Sequence, residues 1–175
     1  VVLLYAGRIS PEKGLEVLVR AMALLPESIC LFVAGQGRSR DVVPLMELAR
    51  ALGVDGRIEW LGHVDGIAAL MSTADIGVVP TTAKEAFGLT VLEFMSQGVP
   101  VVATCNGGPA EIISDGVDGM LVPPSDPEAL AKAIAGLAAE PELRKSMGAK
   151  AAETADVRFS YDNFYRQIID VYTRQ

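Results

Sequence analysis

The sequence predicts an α/β fold, a doubly wound parallel sheet of about six strands followed by C-terminal helices. Three observations carry this expectation. Short apolar runs recur at 1–6, 29–34, 57–61, 76–79, 99–103 and 119–122. Stretches with helical spacing separate them, at 14–25, 41–52, 66–73, 89–97 and 109–114. The runs are continuous in Val, Ile and Leu rather than alternating with polar residues, so both faces of each strand require cover, as in parallel sheets flanked by helices. In such sheets ligands bind at the carboxyl ends of the strands, where every glycine-rich or charged word of this chain falls.

The first run, Val1-Val2-Leu3-Leu4-Tyr5-Ala6, begins the chain as a strand, with neither leader nor initiating Met, and is expected to open a piece of a longer protein cut at a domain boundary. It ends in Gly7-Arg8-Ile9-Ser10-Pro11-Glu12-Lys13-Gly14. Arg8 supplies a planar fork and Lys13 a point charge beside a helix start, a combination suited to an anion. The spacing is not that of a P-loop. The bland alternative is two solvated cations.

The second run ends in Gly35-Gln36-Gly37-Arg38. Arg40 stands where a dinucleotide fingerprint needs its third glycine, which argues against NAD. A ligand loop and a plain glycine turn both remain open there. The third run leads through Trp60-Leu61-Gly62-His63-Val64. His63 is the chain's one histidine, and with no carboxylate placed by sequence to orient it, it reads as structural or solvated.

The fourth run leads into Lys84-Glu85-Ala86-Phe87-Gly88-Leu89-Thr90-Val91-Leu92-Glu93, a strand-to-helix crossing. The amides of Phe87, Gly88, Leu89 and Thr90 lie where a helix leaves its first donors unpaired, and the helix dipole favours an anion there. Gly88 allows close approach of the backbone to a ligand. Glu85 lies on the loop. Glu93 falls within a helix whose apolar spacing is read at Leu89, Leu92 and Met95, close to a buried sheet, where a carboxylate is better explained by a polar ligand than by water. Two solvent-facing glutamates are the alternative.

The fifth run precedes Asn106-Gly107-Gly108-Pro109-Ala110-Glu111, either a ligand loop or an ordinary tight turn. Asp115-Gly116-Val117-Asp118-Gly119 reads as a turn. Asp126-Pro127-Glu128 is a helix start, with Asp as N-cap and Pro at the first position. Pro141 opens a helix expected over 142–155, and Ser160 caps a last one over 161–173. On that helix Tyr161, Phe164, Tyr165, Ile168 and Tyr172 share a face. The face either packs on its own domain or meets something outside it.

Composition bounds the function. At 175 residues, half of them hydrophobic and 6% aromatic, the chain suits one domain, here taken as 1–175. A net charge of −7 disfavours nucleic acid and anionic membrane, so a bound phosphate needs a local basic cluster and helix N-termini. Cys30 sits inside an apolar run and Cys105 just after one. They are expected to be reduced, core or near-core thiols. No Asp-x-Asp and no Cys/His cluster occurs, so no metal site is expected and a metal-dependent Asp-x-Asp transferase is disfavoured. No run approaches a membrane span and no signal peptide is visible, which points to the cytoplasm.

The spacing Glu85-x7-Glu93, with Leu92-Glu93-Phe94-Met95 and Gly98-Val99-Pro100-Val101-Val102-Ala103 after it, resembles the E-x7-E motif of retaining GT-B glycosyltransferases of family four. Gly7-Arg8 with Lys13-Gly14 resembles that family's G-R-x-x-x-x-K-G word, and Gly107-Gly108 with Glu111 its G-G-x-x-E word. Ala86 departs from the family's usual glycine. The resemblance implies a Rossmann-like C-terminal donor domain. Arg8, Lys13 and the amides of Phe87, Gly88, Leu89 and Thr90 would hold the donor diphosphate. Gly7 belongs to the same word, Gly35 would lie near the base or diphosphate, and the Val64 main chain would meet the base. Glu93 would meet the ribose and Glu85 the sugar, so Glu85, Arg8 and Lys13 are the candidate catalytic residues. No cofactor is implied, because the nucleoside diphosphate sugar is the substrate. The acceptor would sit mainly in an absent N-terminal domain, to which the terminal helix over 160–175 would cross. The isolated chain would then bind donor weakly and transfer nothing. Loose membrane association would come through the missing half. A sugar-nucleotide epimerase or a phosphorylase of the same fold, and a non-catalytic α/β interaction module, are the alternatives.

Overall fold

In the computed structural model, residues 1–173 are described, and among them six strands form a single parallel sheet. The strands are β1 (Val2–Ala6), β2 (Cys30–Ala34), β3 (Ile58–Gly62), β4 (Ile76–Val79), β5 (Val101–Thr104) and β6 (Met120–Val122). The helices between them are α1 (Leu15–Met22), α2 (Ser39–Ala51), α3 (Ile67–Met71), α4 (Leu89–Ser96) and α5 (Gly108–Ile112), and after β6 come α6 (Pro127–Ala139), α7 (Pro141–Phe159) and α8 (Tyr161–Thr173). The spatial order is β3-β2-β1-β4-β5-β6. The chain therefore winds outward from β1, returns, and winds outward on the other side. The expected doubly wound sheet is present, and its order reverses between β1 and β4, where a crevice opens at the carboxyl ends.

Both faces of the strands are apolar and both are covered. Leu3 and Tyr5 of β1 pack on the side of α1 and α6, whereas Leu4 packs on the side of α4 and α7. Val102 and its neighbours Val101 and Ala103 divide in the same way. This two-sided burial is why the strands read as unbroken apolar runs. Gly77 has a packing reason: a Cβ there would meet the Phe94 ring at 2.6 Å. The Asp126 cap forms as expected, its carboxylate accepting from the Ala129 amide at 2.9 Å.

Several expectations need correction. Helix α4 buries Val91, Phe94 and Met95, not the face through Leu89, which is 65% exposed. Helix α7 continues to Phe159 rather than stopping near 155, because Arg158 caps α5 by donating to the carbonyls of Glu111 and Ile112. Cys105 is exposed and only Cys30 is half-buried, both as free thiols. Helix α8 buries none of its residues, and Tyr161, Phe164, Tyr165, Ile168 and Tyr172 all face solvent. Packing of that face on its own domain is thereby overturned. The last two residues of the expected 160–175 helix lie outside the described ones.

Candidate functional site

Three loops meet at the reversal point. The loop after β1 folds into a 3-10 turn, Pro11–Lys13, and is closed by Gly14 in the left-handed region at φ +71°. A Cβ on Gly14 would lie 1.8 Å from the Pro80 carbonyl, so glycine is required where the β1 and β4 loops touch. The Glu12 carbonyl accepts from the amides of Thr82 (2.9 Å) and Ala83 (3.3 Å), which sews these two loops together. The β5 loop holds the other side. Glu85 donates its amide to the Asn106 carbonyl at 3.0 Å and accepts from the Gly108 amide at 2.8 Å. The Asn106 side-chain amide donates to the Thr82 carbonyl at 2.9 Å, and the Thr104 hydroxyl to the Thr81 carbonyl at 2.6 Å. The Gly107-Gly108 word is therefore a brace beneath the Glu85 loop.

This lacing brings together two residues 72 positions apart. Lys13 Nζ lies 2.5 Å from Glu85 Oε2, with their side chains 29% and 21% exposed. Both line a cavity of about 310 Å³ with Tyr5, Gly7, Gly88 and Thr90. Phe87 and Leu89 also line it. Gly88 caps α4 at φ +97°, and the bonds of the first turn start with Val91 N to Gly88 O at 2.9 Å. The amides of Gly88, Leu89 and Thr90 ahead of that bond have no acceptor among the described residues. A lysine and unpaired helix-start amides facing one cavity form a site for an anion. Glu85 beside them supplies an acceptor for hydroxyl donors.

The other predicted residues divide. Arg8, Gly35 and Val64 line an adjoining cavity of about 410 Å³, with Gly7 at the boundary of both. Arg8 and Lys13 do not line the same cavity: the Arg8 side chain is 71% exposed and pairs with Glu12 at 3.2 Å. Glu93 is exposed, so the inference that a buried carboxylate there needs a ligand fails. Helix α4 turns Val91, Phe94 and Met95 inward, which leaves Leu89 and Glu93 on its outer side. His63 does have an orienting carboxylate, since its Nε2 lies 3.1 Å from Asp65 Oδ1, and both side chains are exposed. Among the described residues no group of three or more His, Cys, Asp or Glu is placed to hold a metal, and no helix is long and apolar enough to cross a membrane.

Sequence reasoning missed two supporting residues. Tyr5 donates its hydroxyl to the Arg8 carbonyl at 2.7 Å and lines the 310 Å³ cavity. Burial pushes its hydroxyl above the ordinary tyrosine range, and the Glu12 charge adds to this while Arg8 opposes it. The alternation of β1 places Tyr5 in the core cluster but does not reveal where its hydroxyl ends. Phe159, the last residue of α7, meets the Phe87 ring edge-on, with centroids 6.4 Å apart at 77°, so the end of α7 touches the Glu85 loop's neighbour.

Comparison with known proteins agrees with this architecture. The chain is 34% identical over 174 residues to an uncharacterized glycosyltransferase of Methanocaldococcus jannaschii, covering 97% of this chain and 44% of that protein. It superposes with TM-score 0.95 on HepE of Anabaena in complex with UDP, at 29% identity, covering 99% of this chain and 49% of that one. The same protein is also known in complex with UDP-glucose, with TM-score 0.93. The C-terminal domain of a glycosyl transferase group 1 protein, LpcC of Francisella tularensis, superposes with TM-score 0.84 at 26% identity, covering 91% of this chain and 86% of that one. The chain thus spans less than half the length of the curated relative and of the HepE chain. The profile of one family matches residues 1–154, most of the sequence, and on that match the chain belongs to the glycosyl transferases group 1 family.

Proposed function

We propose that this chain is the donor-binding half of a retaining glycosyltransferase, which moves a sugar from a nucleoside diphosphate sugar to an acceptor without a metal ion. One observation carries the reading: Lys13, Glu85 and the unpaired amides at the start of α4 face a single cavity where the strand order reverses. Cleavage of the sugar–phosphate bond builds negative charge on the leaving diphosphate. A fixed ammonium and preoriented amides stabilise that charge more in the transition state than in the ground state. Glu85 accepts from sugar hydroxyls. Arg8, Gly35 and Val64 flank the nucleoside side in the adjoining cavity, and Glu93 serves the ribose from the exposed face of α4. The UDP and UDP-glucose complexes of HepE support this assignment. The retaining outcome rests on the resemblance to family four. The acceptor belongs to a preceding domain, and the exposed aromatic face of α8 is the surface that meets it.

The test is calorimetric titration of the chain with UDP, GDP and ADP, each with and without its sugar, repeated on Lys13→Ala. One nucleotide is expected to bind, and Lys13→Ala to weaken it by roughly tenfold or more, since a hydrogen bond to a charged group contributes about 1.5–3 kcal/mol. No binding at millimolar concentration, or equal binding by Lys13→Ala, overturns the donor assignment.

A further inference from the structure

Glu85 has a second consequence for the site, carried by its partner. Lys13 Nζ and Glu85 Oε2 are 2.5 Å apart, with both side chains largely withdrawn from water and lining one cavity. A carboxylate at that distance occupies one of the three ammonium donors and cancels much of its charge. A phosphate approaching Lys13 must therefore compete with Glu85, and once bound it lies close to a like charge. From this competition we infer that Glu85 discriminates against the sugar-free nucleoside diphosphate, so that the site prefers the intact donor and releases the product of transfer. This rests on the donor-binding assignment above.

The exchange of partners explains the preference. When a sugar-bearing ligand draws Lys13 to its phosphates, its hydroxyls donate to Glu85 and replace the lost ammonium. A nucleoside diphosphate brings the same phosphates but no hydroxyl to Glu85. Its binding leaves the carboxylate half-buried, short of one strong donor and near added negative charge, which is unfavourable. After transfer the sugar departs, Glu85 regains its claim on Lys13, and the diphosphate is weakened where it is held. Glu85 then acts on two ligands in opposite senses: it strengthens the donor and weakens the product. A residue that only contacts sugar would leave the affinity for the product untouched.

The experiment compares the dissociation constants of UDP and UDP-glucose for the chain, Glu85→Gln, Glu85→Ala, Lys13→Met and Lys13→Met/Glu85→Gln, with GDP and ADP in parallel so that the outcome does not hang on the base. Thermal unfolding of each variant checks folding. Glu85→Gln keeps the shape and removes the charge. It is expected to bind UDP about two- to fivefold more tightly, the range set by a partly exposed ion pair, and to bind UDP-glucose no better than the unaltered chain. Glu85→Ala should move UDP in the same direction, because the loop is held by backbone bonds that neither substitution touches. In the Lys13→Met background the gain for UDP should vanish. If folded Glu85→Gln and Glu85→Ala bind UDP no more tightly than the unaltered chain, the inference is overturned while the donor assignment stands. If none of the nucleotides binds the unaltered chain, both fall together.

Discussion

Gly107→Ala tests whether the β5 loop holds the donor loop in place. Gly107 sits at φ +92°, and a Cβ there would lie 2.2 Å from the Glu85 carbonyl oxygen. Carbon–oxygen contacts settle near about 3.3–3.6 Å, so the Glu85 segment must retreat by roughly 1 Å or the two loops must separate. The positive φ alone costs an alanine about 1–2 kcal/mol. Crowding into a filled contact adds about 1–3 kcal/mol. Breaking the bonds from Glu85 N to Asn106 O and from Gly108 N to Glu85 O removes about 1 kcal/mol each. The sum is about 4–7 kcal/mol, a fall in Tm on the order of 10–20 °C for a chain of this size. Gly116→Ala is the matched control: its φ is +74°, but nothing lies within 4 Å of the added Cβ, so only the backbone cost of about 1–2 kcal/mol applies. Thermal unfolding and nucleotide titration on both variants separate the two contributions. If the donor loop yields instead of straining, the Tm difference narrows but nucleotide affinity falls, because the Lys13–Glu85 geometry moves. Equal Tm and equal affinity for the two variants would refute the bracing role of Gly107.

Gly136 presents the opposite case. It lies exposed inside α6 with open space around its Cβ position, so Gly136→Ala is expected to stabilise the chain by about 0.5–1 kcal/mol, read as a rise of a few degrees in Tm. A fall in Tm would show that α6 does not hold a regular helical backbone there. Tyr5 predicts a pH effect. Its pKa is raised in the folded chain, so below about pH 10, where both states keep the proton, it contributes no pH dependence. Above that value the unfolded chain gives up a proton the folded chain retains, and stability falls by up to about 1.4 kcal/mol per pH unit. Tyr5→Phe should flatten that alkaline loss in Tm measured between pH 9 and 11, and an unchanged slope would show that Tyr5 ionises freely in the fold.

The sheet was legible because its strands are covered on both sides. Unbroken runs such as Val101 and Val102 allow few alternatives, and Asp126-Pro127 marks a helix start by its own chemistry. Most strand limits fell within one or two residues of the expected ones. The site was legible as a set of words and not as an arrangement. Spacing within one element says which residues share a face. It does not say which way the face turns, and α4 turns Val91, Phe94 and Met95 inward while exposing Leu89 and Glu93. Nor does spacing reveal partners from other elements. The pairing of Lys13 with Glu85, of Arg8 with Glu12, and of the Tyr5 hydroxyl with the Arg8 carbonyl depends on how loops from different strands come together. The aromatic stripe of α8 was read correctly as a stripe, but periodicity alone does not tell buried from exposed.

The loop lacing also bears on whether the Lys13–Glu85 pair holds the site together. A half-buried ion pair contributes roughly 1 kcal/mol or less once solvent screening is allowed for. Six hydrogen bonds tie the same loops: Thr82 and Ala83 to the Glu12 carbonyl, Glu85 to Asn106, Gly108 to Glu85, Asn106 to Thr82, and Thr104 to Thr81. At about 1 kcal/mol each they outweigh the ion pair several-fold. The backbone therefore sets where Lys13 and Glu85 stand, and the pair is a consequence of that placement. Such a pair can exchange partners with a ligand while its loops stay where they are. Had the ion pair been the chief tie, ligand binding would have loosened the platform that positions the unpaired amides of α4.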